Sequence, residues 1–344
     1  MPAFMQSPVS TPDTPVNRGR AAHPIKRQLL RAGLALGLLA SALAAQAQSV
    51  TRVIVPFAPG ASNDVIGRMM AEAMARKTGT NWIVENKPGA GSMLGAEFVA
   101  KAPADGQTLL LCATANMGIL PAIQKNVRYT VDKDFTFLAR IATSPFALTV
   151  NSQFPANNFA DFVRLAKAKP GAVRMGSAGV GALDYMGASM LQSIMGIDLN
   201  IIPYKGMAPA LNDLRAGHVD AAIVSPGTIR PLAQEGKVRV LTVLDTQRSE
   251  VMPEVPSSAD VGQPRLIVAN WWGICGPARM PAQAVNTLRQ AMLDVLAEPA
   301  FLRSLKEKGF DPAPQAGDDF VRFVAADAAN WREVARKANI KLDE

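Results

Sequence analysis

Histidine and cysteine are scarce in this chain, and their scarcity excludes whole classes of chemistry. Two of the 344 residues are histidines, His23 and His218, and two are cysteines, Cys112 and Cys275. A multi-histidine metal site or a histidine-assisted nucleophile therefore has almost nothing to draw on. The two cysteines lie too far apart for the paired spacing of a zinc site. We expect no metal, no cofactor and no enzymatic activity.

The two cysteines leave two alternatives open. Cys112 lies in the strand-like run TLLLCATA, and Cys275 lies in the run WWGICGP. Both could be buried thiols that behave as small apolar side chains. An oxidising compartment would also permit a disulfide between them, provided that their Cα atoms lie within roughly 7 Å of each other.

Long apolar runs are also lacking, since none reaches the roughly 20 residues that a membrane-spanning helix requires. The run Ala32–Ala45 follows three basic residues, Lys26, Arg27 and Arg31, and it ends in Ala45-Gln46-Ala47. A charged start, a short apolar core and small residues at the end are typical of a secretory signal peptide. We expect cleavage near Ala47 and export to the periplasm. Residues 1–25 are predicted to be a leader, or else the start codon has been placed too early. Met5 is another possible start.

The charge pattern argues against nucleic acid as a partner. The formal net charge is +8, and residues 1–47 carry half of it. The remaining charges are of mixed sign and form no basic run of the kind that nucleic-acid binding requires. The mild positive bias favours the approach of anionic ligands.

Short apolar runs alternate with helical stretches along the rest of the chain. This β-α-β-α order predicts an α/β fold with mainly parallel sheets covered by helices, and the length indicates two lobes. The predicted strands are Val53–Val55, Trp82–Glu85, Thr108–Ala115, Phe137–Ile141, Phe146–Val150, Arg174–Ser177, Leu199–Pro203, Ala221–Val224, Val238–Leu244 and Ile267–Cys275. The last third is predicted to be mostly helical, over Ala282–Ala297, Ala300–Lys308 and Asp318–Asn339.

The order of these elements predicts a discontinuous first domain, because the final helices need a surface to cover. The leader and signal peptide occupy 1–47. Domain I comprises 48–149 and 271–344, and domain II comprises 150–270. The chain would cross between the domains near Val150 and Ala269.

One strand-to-helix connection is suited to an anion. The strand Val53–Val55 is followed by Pro56, Pro59 and Gly60, which force a tight loop. The residues Ser62–Asp64 are typical of a helix N-cap. A helix N-terminus presents free backbone N–H groups and the positive end of the helix dipole, which bind anions such as carboxylates.

A second connection of this kind begins at Gly176–Gly181, where Ser177 adds a hydroxyl group. It lacks the G-x-S-x-G order of a nucleophile elbow, and Gly89-Ala90-Gly91 lacks the spacing of a dinucleotide-binding turn. Tyr204 could hydrogen-bond a ligand, and Trp271-Trp272 could line a cleft or lie in the core. Two anion-binding loops predict a cleft between two lobes that holds a ligand with two negative ends and closes about a hinge.

Several motifs occur in a fixed order along the chain: PFAPG before Asp64, ENKPGAG, ADGQTLL, PYKG, LRAGHVDAA, MPEVPSSADVG and WWGICGPARMP. They resemble the Bug-type (TctC-like) receptors, the extracytoplasmic solute-binding proteins of tripartite tricarboxylate transporters. The resemblance implies a type II periplasmic-binding-protein fold, with two α/β lobes, a two-crossing hinge and the ligand cleft between the lobes. It also implies a small organic carboxylate ligand, without choosing among dicarboxylates and tricarboxylates, acidic amino acids, aromatic acids and nicotinate-like compounds.

The resemblance places the ligand in loops that offer backbone N–H groups, hydroxyl groups and ordered water. The implied ligand-binding residues are Phe57, Ala58, Gly60, Ala61, Ser62, Asn63, Asp64, Ala113, Thr114, Ala115, Asn116, Ser177, Ala178, Gly179, Val180, Gly181, Ala182, Asp184, Tyr204, Ser225 and Pro226. Two of them depart from the family pattern. Ala61 replaces a usual second glycine, and its methyl group could narrow the pocket or alter the loop. Asp184 replaces a common histidine, and it could select a ligand with an amine or cap the following helix.

The resemblance implies uptake of the ligand through the membrane permease subunits of a tripartite transporter. The alternative is an exported ligand sensor that feeds a signalling kinase. A transcription regulator of the same fold would need a DNA-binding segment where this chain has its predicted signal peptide. A monomer is expected, and no nucleic acid is expected as a partner.

Overall fold

The computed structural model describes residues 50–60 and 62–340. The predicted leader and signal peptide, and Ala61 of the predicted ligand loop, lie outside these residues. Within the described ranges, no helix has both the length and the apolar character needed to cross a bilayer.

The first sheet has six strands in the described part of the chain. They are β1 (Val50–Val55), β2 (Asn81–Asn86), β3 (Thr108–Ala113), β4 (Phe135–Pro145), β10 (Ala269–Pro277) and β11 (Asp311–Ala316), in the spatial order β11-β4-β10-β3-β1-β2. Strand β1 runs parallel to β2 and β3. Strand β10 runs antiparallel to β3 and β4, and β11 runs antiparallel to β4.

The second sheet contains β5 (Ala147–Asn151), β6 (Arg174–Ser177), β7 (Asn200–Pro203), β8 (Ala221–Val224) and β9 (Val238–Val243), in the order β7-β6-β8-β5-β9. Strand β6 is parallel to both neighbours, whereas β5 is antiparallel to both. The expectation of mainly parallel sheets is therefore wrong. Parallel neighbours are joined by a crossover, usually a helix, but β5 and β10 enter their sheets directly from the other lobe and run against their neighbours.

Helices cover both sheets. They are α1 (Ser62–Thr78), α2 (Met93–Ala100), α3 (Leu120–Ile123), α4 (Phe159–Ala168), α5 (Leu183–Met195), α6 (Met207–Ala216), α7 (Pro226–Gln234), α8 (Ala282–Ala297), α9 (Pro299–Glu307) and α10 (Gly317–Lys337). Helix α1 buries Ile66, Met70 and Met74, which recur at helical spacing and lie in the core beside the first sheet. Helix α4 begins where the side chain of Asn158 accepts a hydrogen bond from the backbone N–H of Asp161 at 2.8 Å.

The chain crosses between the sheets at Phe146, after β4, and at Val268, before β10. Backbone hydrogen bonds tie both crossings to Leu244, which follows β9. Phe146 N–H donates to the carbonyl of Val268 at 2.8 Å, Val268 N–H donates to that of Leu244 at 2.8 Å, and Leu244 N–H donates to that of Phe146 at 2.7 Å. Two α/β lobes joined by a two-crossing hinge are thus present, as the predicted fold requires.

Helix α10 contacts the cores of both lobes. Phe320 and Val324, near its start, pack with the first-lobe core. Trp331 and Val334, near its end, belong to the same buried cluster as Phe162 and other second-lobe residues. The residue bounds of the two domains stay a prediction.

Strand β11 was not predicted, because it contains Pro312 and Pro314, which usually interrupt strands. It lies at the edge of the first sheet, where a missing N–H costs less, and its register with β4 shifts between Pro312 and Gln315. The predicted strand Thr108–Ala115 ends two residues early, because Thr114–Ile119 forms a π-helical turn.

Both cysteines are buried free thiols in the structure. Cys112 of β3 lies opposite Gly273, and Cys275 of β10 lies opposite Leu110. Both side chains belong to one buried cluster of the first lobe.

Candidate functional site

The loop after β1 is closed by the buried carboxylate of Asp64. Its Oδ2 accepts hydrogen bonds from the backbone N–H of Gly60 at 2.9 Å and from Nε of Arg68 at 2.9 Å. Its Oδ1 accepts from Nδ2 of Asn86 at 2.8 Å. The hydrogen bond from Arg68 is the main cause that lowers the pKa of Asp64 to about 2, against the opposing effect of burial. Asp64 is therefore ionised and holds the loop at the start of α1.

The other residues of this predicted loop are of two kinds: some anchor the loop to the first lobe, and others are exposed to solvent. The side chain of Asn63 accepts a hydrogen bond from Nε1 of Trp272, which ties α1 to β10. Phe57 is half-buried against the first-lobe core, whereas Ala58 and Ser62 are exposed. Contact of these residues with a ligand stays a prediction.

The side chains of Thr114 and Asn116 hold the turn after β3. Both are fully buried. The hydroxyl group of Thr114 donates to the carbonyl of Ala269 at 3.1 Å and accepts from the backbone N–H of Trp271 at 2.9 Å. The amide oxygen of Asn116 accepts from the backbone N–H of Ala113 at 2.7 Å. Thr114 therefore connects the end of β3 with the hinge strand β10, and Asn116 fastens the turn to β3 itself.

The second-lobe loop is closed by another carboxylate. Asp184, in the first turn of α5, is buried, and its Oδ2 accepts a hydrogen bond from the backbone N–H of Ala178 at 2.6 Å. Burial raises the pKa of Asp184 to about 6. Asp184 therefore closes the loop at the start of α5, where Ala182 is the N-cap residue. Its two predicted roles, selection of a ligand amine or capping of the helix, stay predictions. Between these two residues, Gly179 and Gly181 have positive φ angles, and Val180 is exposed.

Tyr204 lies beside this loop, and its phenol group has a partner within the lobe. The backbone N–H of Tyr204 donates to the carbonyl of Ser177 at 2.9 Å. Its hydroxyl group donates to Oδ2 of Asp213 at 2.6 Å, and this bond is the main cause that raises the pKa of Tyr204 to about 12. The hydroxyl oxygen of Ser177 is buried and has no hydrogen-bond partner within the described residues.

A cleft of about 820 Å³ lies between the lobes. Of the predicted site residues, Ser62 at the start of α1 and Ser225 before α7 line it. Pro226 begins α7, and the hydroxyl oxygens of Ser225 and Thr228 lie 2.9 Å apart. The structure therefore brings helix starts from both lobes to one cleft.

The cleft also contains residues that were not predicted from the sequence. Arg230, Lys306 and Lys308 supply positive charge, and Asn270 comes from the hinge strand. These four residues lie in α7, in β10 and at the end of α9, at positions that belong to none of the predicted ligand loops. Trp272 was an open candidate, and it is buried and lines the cleft.

Within the described ranges, no group of three or more His, Cys, Asp or Glu side chains could hold a metal ion.

Comparisons with known proteins agree with this architecture. The chain matches the model of the "Tripartite tricarboxylate transporter family receptor" over residues 66–340. It is 32% identical over 300 residues to a UPF0065 protein of Bordetella pertussis, covering 86% of this chain and 93% of that protein. The TctC solute-binding protein from Polaromonas, solved without ligand, has a TM-score of 0.77 and 28% identity, covering 85% of this chain and 99% of that one.

R. palustris Rpa4515, solved with adipate, has a TM-score of 0.70 and 27% identity, covering 86% of this chain and 99% of that one. The family resemblance and the periplasmic-binding-protein fold predicted from the sequence are confirmed by these matches. The chain belongs to the tripartite tricarboxylate transporter receptor family of Bug-type, TctC-like solute-binding proteins.

Proposed function

We propose that this receptor is exported to the periplasm, captures a small dicarboxylate in the interlobe cleft and delivers it to the permease subunits of a tripartite transporter. The observation that carries the proposal is the convergence of two helix starts and three basic side chains on one cleft. Ser62 marks the start of α1, and Ser225 precedes α7. The basic side chains are Arg230, Lys306 and Lys308, with Glu307 as the acidic side chain of the lining.

Each helix start presents free N–H groups and the positive end of a dipole worth about half a charge, which the ionised Asp64 partly offsets at α1. Two such ends, one from each lobe, suit a ligand whose two carboxylates lie several bonds apart. The cleft volume of about 820 Å³ falls within the usual range of ligand pockets, about 300–1,000 Å³. The related Rpa4515 was solved with adipate, a linear dicarboxylate, which supports the same ligand class here.

Closure of the cleft would rotate one lobe against the other about Phe146 and Val268. One exposed ion pair already joins the two lobes, because Nζ of Lys306, on α9, lies 2.7 Å from Oε2 of Glu250 in the segment after β9.

We propose that closure brings the loop Ser177–Asp184 onto the second carboxylate of the ligand. The buried hydroxyl group of Ser177, which has no partner within the described residues, would then gain an acceptor.

The ligand class can be tested by thermal shift and isothermal titration calorimetry on the purified exported protein. The protein is first partly unfolded, dialysed and refolded, and mass spectrometry of the dialysate identifies any ligand that copurified. We expect a saturable rise in melting temperature with linear dicarboxylates such as adipate, because a ligand that binds the folded state stabilises it. Diols and monocarboxylates of equal length should give little or no rise.

Matched variants locate the binding site. Arg230→Gln should weaken dicarboxylate binding about tenfold, since hydrogen bonds to charged groups contribute about 1.5–3 kcal/mol. Arg303→Gln, an exposed position on α9 outside the cleft, should leave binding unchanged. A diol that binds as tightly as adipate, or equal affinity in both variants, would contradict the proposal. Uptake of labelled dicarboxylate by cells with and without the receptor tests delivery.

A further inference from the structure

A second cavity, of about 500 Å³, lies on the opposite face of β10 from the interlobe cleft. Ala269 and Trp271 line this cavity, whereas their neighbours Asn270 and Trp272 line the cleft. Successive side chains of a strand point to opposite faces of its sheet. The cavity and the cleft share no lining residue, so one small ligand cannot occupy both.

One side of the cavity is formed by the largely buried guanidinium group of Arg140, on β4. Its Nη1 donates a hydrogen bond to Oε1 of Gln315 at 3.1 Å, and its Cζ lies 3.8 Å from the ring centre of Phe323. Its Nε is buried and has no hydrogen-bond partner within the described residues. A buried donor without a partner is costly, and an acceptor on a ligand would remove that cost.

Two carboxylates line the same cavity as this guanidinium group. Asp327 of α10 accepts hydrogen bonds from Nε1 of Trp271 and Nε1 of Trp331, both at 2.9 Å. Asp245 follows β9 and accepts from the backbone N–H of Thr246 at 2.6 Å. Both interact electrostatically with Arg140.

The lining is balanced in charge and partly apolar. Asp245 and Asp327 are matched by Arg140 and by the exposed Arg265. Aromatic and aliphatic side chains, those of Trp271, Phe323 and Ile267, complete the wall. A simple anion would meet two carboxylates here, and a simple cation would meet two guanidinium groups. The lining therefore favours a ligand that carries both charges.

We propose that this cavity binds a small zwitterion with an apolar body, of the class of α-amino acids with hydrophobic side chains. The ligand carboxylate would accept from Arg140, and its ammonium group would donate to Asp245. Its side chain would pack against Trp271 and Phe323. This site is separate from the carboxylate cleft and does not depend on the function proposed for that cleft.

Isothermal titration calorimetry on the purified exported protein tests the site with phenylalanine and leucine as probes. Phenethylamine and 3-phenylpropionate serve as the matched cation-only and anion-only analogues. We expect saturable binding of the amino acids with one site per chain. Each analogue should bind at least about tenfold more weakly, because it loses one charge-assisted hydrogen bond.

Variants distinguish this cavity from the cleft. Ala326→Trp fills the cavity from an exposed position on α10 and should abolish amino-acid binding, whereas Ala329→Trp, exposed on the same helix but outside the lining, should not. Arg230→Gln alters the cleft and should leave amino-acid binding unchanged. Absence of amino-acid binding, binding that survives Ala326→Trp, binding that is lost in Arg230→Gln, or an analogue that binds equally well would each overturn the proposal.

Discussion

Asp184 accepts a hydrogen bond from the backbone N–H of Ala178 at 2.6 Å and closes the second-lobe loop at the start of α5. Asp64 closes the first-lobe loop in the same way, by accepting from the backbone N–H of Gly60 at 2.9 Å. The hydrogen bond from Arg68 is the main influence on the pKa of Asp64, whereas burial is the main influence on the pKa of Asp184. The two pKa values are therefore shifted in opposite directions, to about 2 for Asp64 and to about 6 for Asp184.

We expect Asp184→Asn to alter the dependence of stability on pH. The pKa of Asp184 is raised from 3.8 to about 6 in the folded protein, so its protonated form favours folding. This contribution is fully present below pH 3.8 and is lost as the pH rises through about 6. Asparagine keeps a neutral acceptor for Ala178 at every pH. The difference in melting temperature, variant minus wild type, should therefore be larger at neutral pH than below pH 4.

Melting curves over this pH range provide the measurement, with the exposed Asp198→Asn as control. Asp311 and Asp327 also have a pKa of about 6 because they are buried, so the variant retains part of the wild-type slope. A constant difference between variant and wild type at all pH values would contradict the assignment.

Asp64→Ala should destabilise the protein by about 2 kcal/mol at neutral pH, because hydrogen bonds to charged groups contribute about 1.5–3 kcal/mol and Arg68 is half exposed. The pKa of Asp64 is lowered from 3.8 to about 2, so its contribution is present above pH 3.8 and is lost as the pH falls through about 2. Urea unfolding at neutral and acidic pH measures the loss. Glu72→Ala removes an exposed ion pair with Arg76 on the same helix and should cost less than about 0.5 kcal/mol. Equal losses in both variants would refute the anchoring role.

Gly273→Ala should destabilise the hinge strand. A Cβ atom at Gly273 would lie 2.5 Å from Cζ of Phe320 and 2.8 Å from the carbonyl oxygen of Ala139. Backbone cannot give way as a flexible side chain can, and overpacking of a core costs about 1–3 kcal/mol. Gly227→Ala, on α7, has no neighbour within 4 Å and should be tolerated. Chemical denaturation measures the free energy of unfolding of both variants. A Gly273→Ala protein as stable as wild type would show that β10 has more room than its packing implies.

The two cysteines should resist thiol reagents in the native protein and react after unfolding. Cys112 and Cys275 are fully buried. Burial, with Cys112 adjacent, raises the pKa of the Cys275 thiol, and the thiolate is the reactive form. Titration with a chromogenic disulfide reagent should find no fast-reacting thiol before denaturation and two afterwards. Absence of thiols after denaturation without reductant would mean instead that the two form a disulfide.

The local parts of this structure were predictable because their signals lie in adjacent residues. The apolar run Val53–Val55 with its proline-glycine loop predicted β1 and the start of α1, and the structure contains both. Strand β11 was missed because Pro312 and Pro314 oppose a strand locally, whereas an edge position in the sheet tolerates them. The antiparallel direction of β10 was not predicted, because β10 enters the first sheet directly from the second lobe and this path cannot be read from the local sequence.

The sequence by itself determined the family, the two-lobed α/β fold and the helix starts suited to anions, since motifs and capping residues act over a few positions. Only the tertiary structure decided which side chains share a site. Ser62, Arg230 and Lys306 are far apart in the chain, yet they line one cleft. Arg140 and Asp245 likewise meet only where strands from both lobes reach the hinge. Packing between elements that are distant in the sequence brings these side chains together, and a local sequence pattern contains no information about such contacts.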